Sequence, residues 1–178
     1  SGTPEGDFDS GRTVVDAYNR LGYDAAALGN HEFDRGVDNM LALVRRADYP
    51  ILAGNLRDAD GAVPSPLNGT ALVEKGGVTI AFVGLLTEGL ADVVAEGRTG
   101  DLKVGSAAKA LREAIAQLER GPADLVVPLT HIGVGSDKRL ARDVPGLTLI
   151  VGGHSHTGLP RGTKEGNTTI VQTWGKCG

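Results

Sequence analysis

"LTLIVGGHSH", residues 147–156, runs a short apolar segment into two glycines and then two histidines. An apolar run of this length, closed by glycine, predicts a buried strand over 147–153. Gly152 and Gly153 let backbone come close to whatever His154 and His156 meet, and an extended segment would point these two side chains the same way. The pattern recurs upstream. "DLVVPLTHIG" (124–133) predicts a buried strand 124–130, with His131 in the turn after it. "DAAAL" (24–28) predicts a short strand, followed directly by Asn30 and His31. The chain has 4 histidines, and all of them follow predicted strands.

The segments between these strands read as helices. Ser10 is placed to cap a helix carrying Val14, Val15, Tyr18 and Leu21, with Gly22 to end it. "GVDNMLALVRRA" (36–47) has apolar residues at 37, 40, 41 and 44, which is helical spacing. Ser106 precedes a stripe of Ala107, Ala110, Leu111, Ala114, Ile115 and Leu118, and a further helix is predicted from about Ser136 to Arg142. "YPILAGN" (49–55) and "TTIVQTW" (168–174) add strands. "TALVEKGGVTIAFVGLL" (70–86) predicts a hairpin turning at Gly76-Gly77. Residues 87–105 read as a loop with at most a short helix. Strands alternating with amphipathic helices make an α/β protein, and the hairpin makes its sheet mixed. Ligands of open α/β sheets bind outside the carboxyl ends of the strands, which is where the four histidines fall. Imidazole and amide oxygen together suit a borderline divalent metal. Asp34, three residues after His31, is within reach of that imidazole if a helical turn starts there.

Composition narrows the function. With 178 residues and 40% hydrophobic residues, the chain can build one core. A net charge of -4 gives no electrostatic ground for a nucleic-acid partner. No apolar run is long enough to span a bilayer. Cys177 is the single cysteine, so no internal disulfide forms. The sequences at Asn68 and Asn167 are glycosylation acceptors only in a suitable secretory pathway.

"GNHEFD" (29–34), "LTHIG" (129–133) and "GGHSH" (152–156), in this order, resemble the calcineurin-like metallophosphoesterases. "ALGNHEFD" (27–34), "YPILAGNLRD" (49–58) and "GGVTIAFVGLLT" (76–87) resemble their 5'-nucleotidase branch, which includes the bacterial nucleotidase and 2',3'-cyclic-nucleotide phosphodiesterase proteins. The resemblance implies a four-layer α/β/β/α sandwich with mixed sheets and two divalent metals, such as zinc or manganese, at the strand ends. It implies that Asn30, His131 and His154 ligate one metal and His156 the other, that His31 is catalytic, and that Asp34 is its partner. The activity implied is hydrolysis of nucleotide phosphate esters by a metal-activated hydroxide, in an extracytoplasmic compartment. Alternatives are another phosphate ester, a sulfur ester, or a domain kept for binding alone.

The family's first motif, Asp-x-His, occurs nowhere in this sequence, and the chain starts at a segment that follows the family's bridging aspartate. Asp7 and Asp9 do not fit that motif. Residues 1–178 are therefore expected to be one truncated catalytic domain lacking its first strands and a carboxyl-terminal nucleotide-binding domain. Three expected ligands are absent, so at most one metal, negligible activity and self-association of uncovered sheet surface are expected of this chain.

Overall fold

A computed structural model describes residues 8–118 and 121–175. Asp7 and Cys177 lie outside the described residues. Three sets of strands organise the chain. β1 (Ala26–Ala27) pairs in parallel with β2 (Ile51–Leu52). β3 (Leu56–Arg57) pairs antiparallel with β6 (Lys103–Val104). The remaining six strands form one mixed sheet, in the order β4-β5-β7-β8-β10-β9. They span Thr70–Lys75 (β4), Val78–Leu86 (β5), Leu125–His131 (β7), Leu149–Gly152 (β8), Thr163–Glu165 (β9) and Thr168–Gln172 (β10). β5, β7, β8 and β10 run parallel, and antiparallel β4 and β9 close the two edges.

The β4–β5 hairpin turns where the sequence places it. Lys75 pairs with Val78, and the two intervening glycines have φ of 60° and 79°. These left-handed angles suit a turn whose twist matches the strands it joins.

Helices α1 (Arg12–Leu21), α2 (Gly36–Arg46), α3 (Leu90–Val93), α4 (Ala107–Leu118) and α5 (Val134–Asp143) complete the fold. α4 and α5 cover one face of the large sheet. Leu111 and Leu140 pack there with Val83, Leu85, Ile150 and Ile170, all of them buried. The opposite face of β5 and β7 meets the β1–β2 pair. Beyond that pair, α2 contributes Met40 and Val44 to a second core with Leu28, Phe33, Ile51 and Leu86, and α1 packs on α2. The layer order is therefore helix, sheet, sheet, helix. The two sheets approach closely at Gly84, where a Cβ would overlap the backbone of Leu52. Gly54 N–H donates to Gly84 O at 2.7 Å, which ties the layers there. The buried Asn55 side chain anchors the end of β5. It accepts from Leu86 N–H at 2.8 Å and donates to Leu86 O at 2.8 Å and Gly105 O at 3.0 Å.

Several local expectations need correction. Ser10 does not cap α1: it sits at φ 65°, and Asp9 Oδ2 instead accepts from both Thr13 N–H and the Thr13 hydroxyl at 2.7 Å. α5 starts at Val134 rather than Ser136, after Gly133 at φ 85°. The two-residue pair β3–β6 and the three-residue β9 have no sequence signal, because segments this short carry no periodicity.

Candidate metal centre

Each candidate residue is delivered by a strand end. A 3-10 turn over Asn30–Phe33 follows β1 and turns Asn30 and His31 in different directions. Its amino end is held by Glu32, whose Oε2 accepts from Gly29 N–H at 2.9 Å. His131 is the last residue of β7, paired with Leu86, rather than part of the following turn. His154 and His156 follow β8, but the segment is not extended: the two residues have left-handed φ of 78° and 51°. Such angles are costly for a residue with a Cβ and persist only where the surroundings enforce them. Ser155 and Gln172 enforce them here. Ser155 Oγ accepts from Val134 N–H at 3.1 Å. The buried Gln172 amide, with its nitrogen toward Ser155, accepts from His156 N–H at 3.0 Å and Thr157 N–H at 3.2 Å.

The three strand ends meet at one oxygen. Asn30 Oδ1 lies 2.9 Å from His131 Nε2 and 3.1 Å from His154 Nδ1. Asn30 is only 5% exposed, and the two imidazole rings are 5.0 Å apart. As hydrogen bonds, these contacts need the proton on Nε2 of His131 and on Nδ1 of His154. With those protons gone, three lone pairs face one point, an arrangement that favours a cation. Burial pushes the His131 imidazole down to about 4, helped by the charges of His154, His31 and His156 and opposed by Glu32. Burial, then His156 and His31, also lower His154. Both rings are thus held neutral, the form that ligates metals.

His31 lies outside the triplet. Its Nδ1 is 2.9 Å from Asp34 Oδ2, as the spacing predicted. His31, Glu32, His131 and His156 all line one cleft of about 220 Å³. His156 shares the cleft but makes no contact with Asn30 Oδ1 comparable to those of His131 and His154. The five candidate residues therefore occupy one region at the carboxyl ends of the strands. Among the described residues, no group of three or more His, Cys, Asp or Glu side chains is arranged as a metal site. The Asn30–His131–His154 triplet differs from such a group in having an amide oxygen as its third donor. Glu32, Ser155 and Gln172 were not singled out as supports in the sequence. The three-residue spacing of Glu32 from Gly29, which lets the carboxylate reach back to the N–H ahead of the turn, was the one available signal.

The model of the calcineurin-like phosphoesterases matches residues 6–158. The chain belongs to this family. Its relatives include snake venom 5'-nucleotidase from Gloydius brevicauda, 35% identical over 88% of this chain and 27% of that protein. Among solved structures, a 5'-nucleotidase precursor from Thermus thermophilus superposes with a TM-score of 0.79 at 28% identity, over 94% of this chain and 36% of its own. The sulfate thiohydrolase SoxB of Thermus thermophilus gives 0.83 at 27% identity, over 91% and 30%. The phosphoesterase motifs thus sit on the family's mixed α/β architecture, in a chain spanning about a quarter of the venom relative's length.

Proposed function

We propose that this chain is the metal-binding part of a hydrolase for nucleotide phosphate esters, with Asn30, His131 and His154 holding one divalent ion and His31, oriented by Asp34, acting on the substrate. The meeting of three donor atoms from three separate strand ends supports this reading. Asn30 gives a neutral oxygen and the histidines give neutral nitrogens, a donor set that fits zinc or manganese. A divalent ion held by these residues would polarise a phosphoryl oxygen and acidify water.

The remaining steps belong to the chain's own side chains. With Nδ1 turned to Asp34, His31 has Nε2 to hold a proton against charge developing on the phosphoryl oxygens, or to pass that proton to the leaving oxygen. The left-handed turn at 154–156 and its Ser155–Gln172 lock hold His154 in place and present His156 to the same cleft, where it would serve a second ion. Only one complete donor set lies among the described residues, so we assign one ion per chain. The nucleotide substrate and an extracytoplasmic location rest on likeness to the named 5'-nucleotidases. No helix among the described residues is long and apolar enough to cross a membrane. We also assign self-association to the partly uncovered sheet face, where Val151 is 37% exposed.

Likeness to SoxB favours a second reading, in which the bond cleaved is that of a sulfur ester. A substrate panel on the intact protein separates the two. Release of phosphate from a nucleoside 5'-monophosphate, with no cleavage of an S-sulfonate, supports the nucleotidase reading. The reverse pattern overturns it.

A further inference from the structure

One buried carboxylate is left unexplained by the site. Asp137, on the first turn of α5, is 0% exposed. Its Oδ1 accepts the Thr130 hydroxyl at 2.6 Å. Its Oδ2 has no hydrogen-bond partner among the described residues. That oxygen packs under Gly152, where a Cβ would overlap it. Burial raises the carboxyl to about 6, against the lowering effect of the Thr130 bond. A buried polar atom without a partner is rare enough in native proteins to need a reason.

Position supplies one. Thr130 immediately precedes His131, and Gly152 stands two residues before His154. The same two turns are joined through backbone: Gly133 N–H donates to Gly153 O at 3.1 Å, and Asp137 N–H donates to Gly133 O at 2.9 Å. Gly153 itself lies against the His131 ring, since a Cβ there would come within 3.3 Å of Nδ1. One carboxylate therefore touches both strand ends that deliver imidazoles to Asn30 Oδ1. A shift of either end changes the spacing of the donor atoms, to which ion binding is sensitive.

We propose that Asp137 is a positioning residue of the Asn30–His131–His154 cluster, its carboxylate fixing the ends of β7 and β8 through Thr130 and Gly152 so that the two imidazoles meet at one point. This rests on the reading of the cluster as an ion site. Asp137 touches neither substrate nor ion. Its role is to set the distance between two groups that do.

The test uses Mn²⁺ binding to the whole chain, measured well below the unfolding temperature, in wild type, Asp137→Ala, Asp137→Asn and Ile170→Ala. Ile170 packs in the core that α5 contributes to through Leu140 and Ala141, and serves as a stability control. Asp137→Ala is expected to weaken Mn²⁺ binding about tenfold, the scale on which loss of an outer support acts. Asp137→Asn keeps an acceptor for Thr130 and should rescue affinity to within about threefold. Ile170→Ala should lose thermal stability and keep wild-type affinity. In the ion-free chain, Asp137→Ala should also move the ring resonances of His131 and His154, and Asp137→Asn should not.

The inference is overturned if folded Asp137→Ala binds as wild type does, or if Ile170→Ala loses as much affinity. Those results leave the ion site standing. Absence of Mn²⁺ binding in wild type would instead overturn the ion-site reading, and the inference with it.

Discussion

His31 and His131 have opposite surroundings. His31 is partly exposed beside Asp34, whereas His131 is held against Asn30 and kept neutral by burial. His31→Ala in the intact enzyme should lower kcat by roughly 10²–10⁴ and leave bound metal unchanged, because the lost group moves protons or charge. His131→Ala should lose metal and activity together. Metal analysis beside a phosphate-release assay checks both, and equal metal loss in the two variants would reverse the roles. A pH dependence follows from His131 and Asp137. The folded-state value of His131 falls from 6.5 to about 4, so the unfolded chain takes up the proton first. That contribution is complete above 6.5 and lost as pH falls toward 4, a span of about 3 kcal/mol. Asp137 is raised from 3.8 to about 6, so its contribution is complete below 3.8 and lost as pH rises through 6. This is also about 3 kcal/mol, of opposite sign. These two largely offset each other in the ion-free wild type, while the lowered His154 adds to the loss at acid pH. Asp137→Asn should then steepen the fall in denaturant midpoint between pH 6.5 and 4 relative to wild type. A pH profile parallel to that of wild type would contradict the assignment.

At the scale of elements, Gly84 is an exacting position in the large sheet. Gly84→Ala must push β2 away from β5, since the added Cβ overlaps the Leu52 backbone. Overpacking of this kind costs about 1–3 kcal/mol, and here the upper end is expected because backbone, not a flexible side chain, must give way. Urea unfolding of the variant measures it, and a midpoint equal to that of wild type would show that the sheets separate freely. The long elements were legible in the sequence. α2, α4, β7 and the β4–β5 hairpin follow from apolar period, length or glycine placement. Less legible was whatever depends on tertiary contact. The cap of α1 went to Asp9 because Ser10 is left-handed, and β9 is too polar and short to announce itself. The His154–His156 segment looked extended but is twisted by contacts to Val134 and Gln172, residues distant from it in sequence. The region was legible as Asn30 and four histidines at strand ends, although only His131 and His154 meet Asn30. Its supports, Glu32 and the Thr130–Asp137 pair, show themselves only when the strand ends are brought side by side.

For the whole molecule, two features set the expected behaviour in solution. Val151 on the sheet and Trp174 beyond β10 are 37% and 62% exposed, so apolar surface remains open. Sedimentation should show association that rises with chain concentration, whereas a monomer at every concentration would contradict that expectation. The second feature is the cluster itself, made by three strand ends that only the complete fold brings to one oxygen. Mn²⁺ titration of the whole chain, followed by metal analysis, tests this most directly. The account predicts one ion per wild-type chain, lost in Asn30→Ala, His131→Ala and His154→Ala and kept in His31→Ala. No ion in wild type, or binding that survives loss of His131, would contradict it.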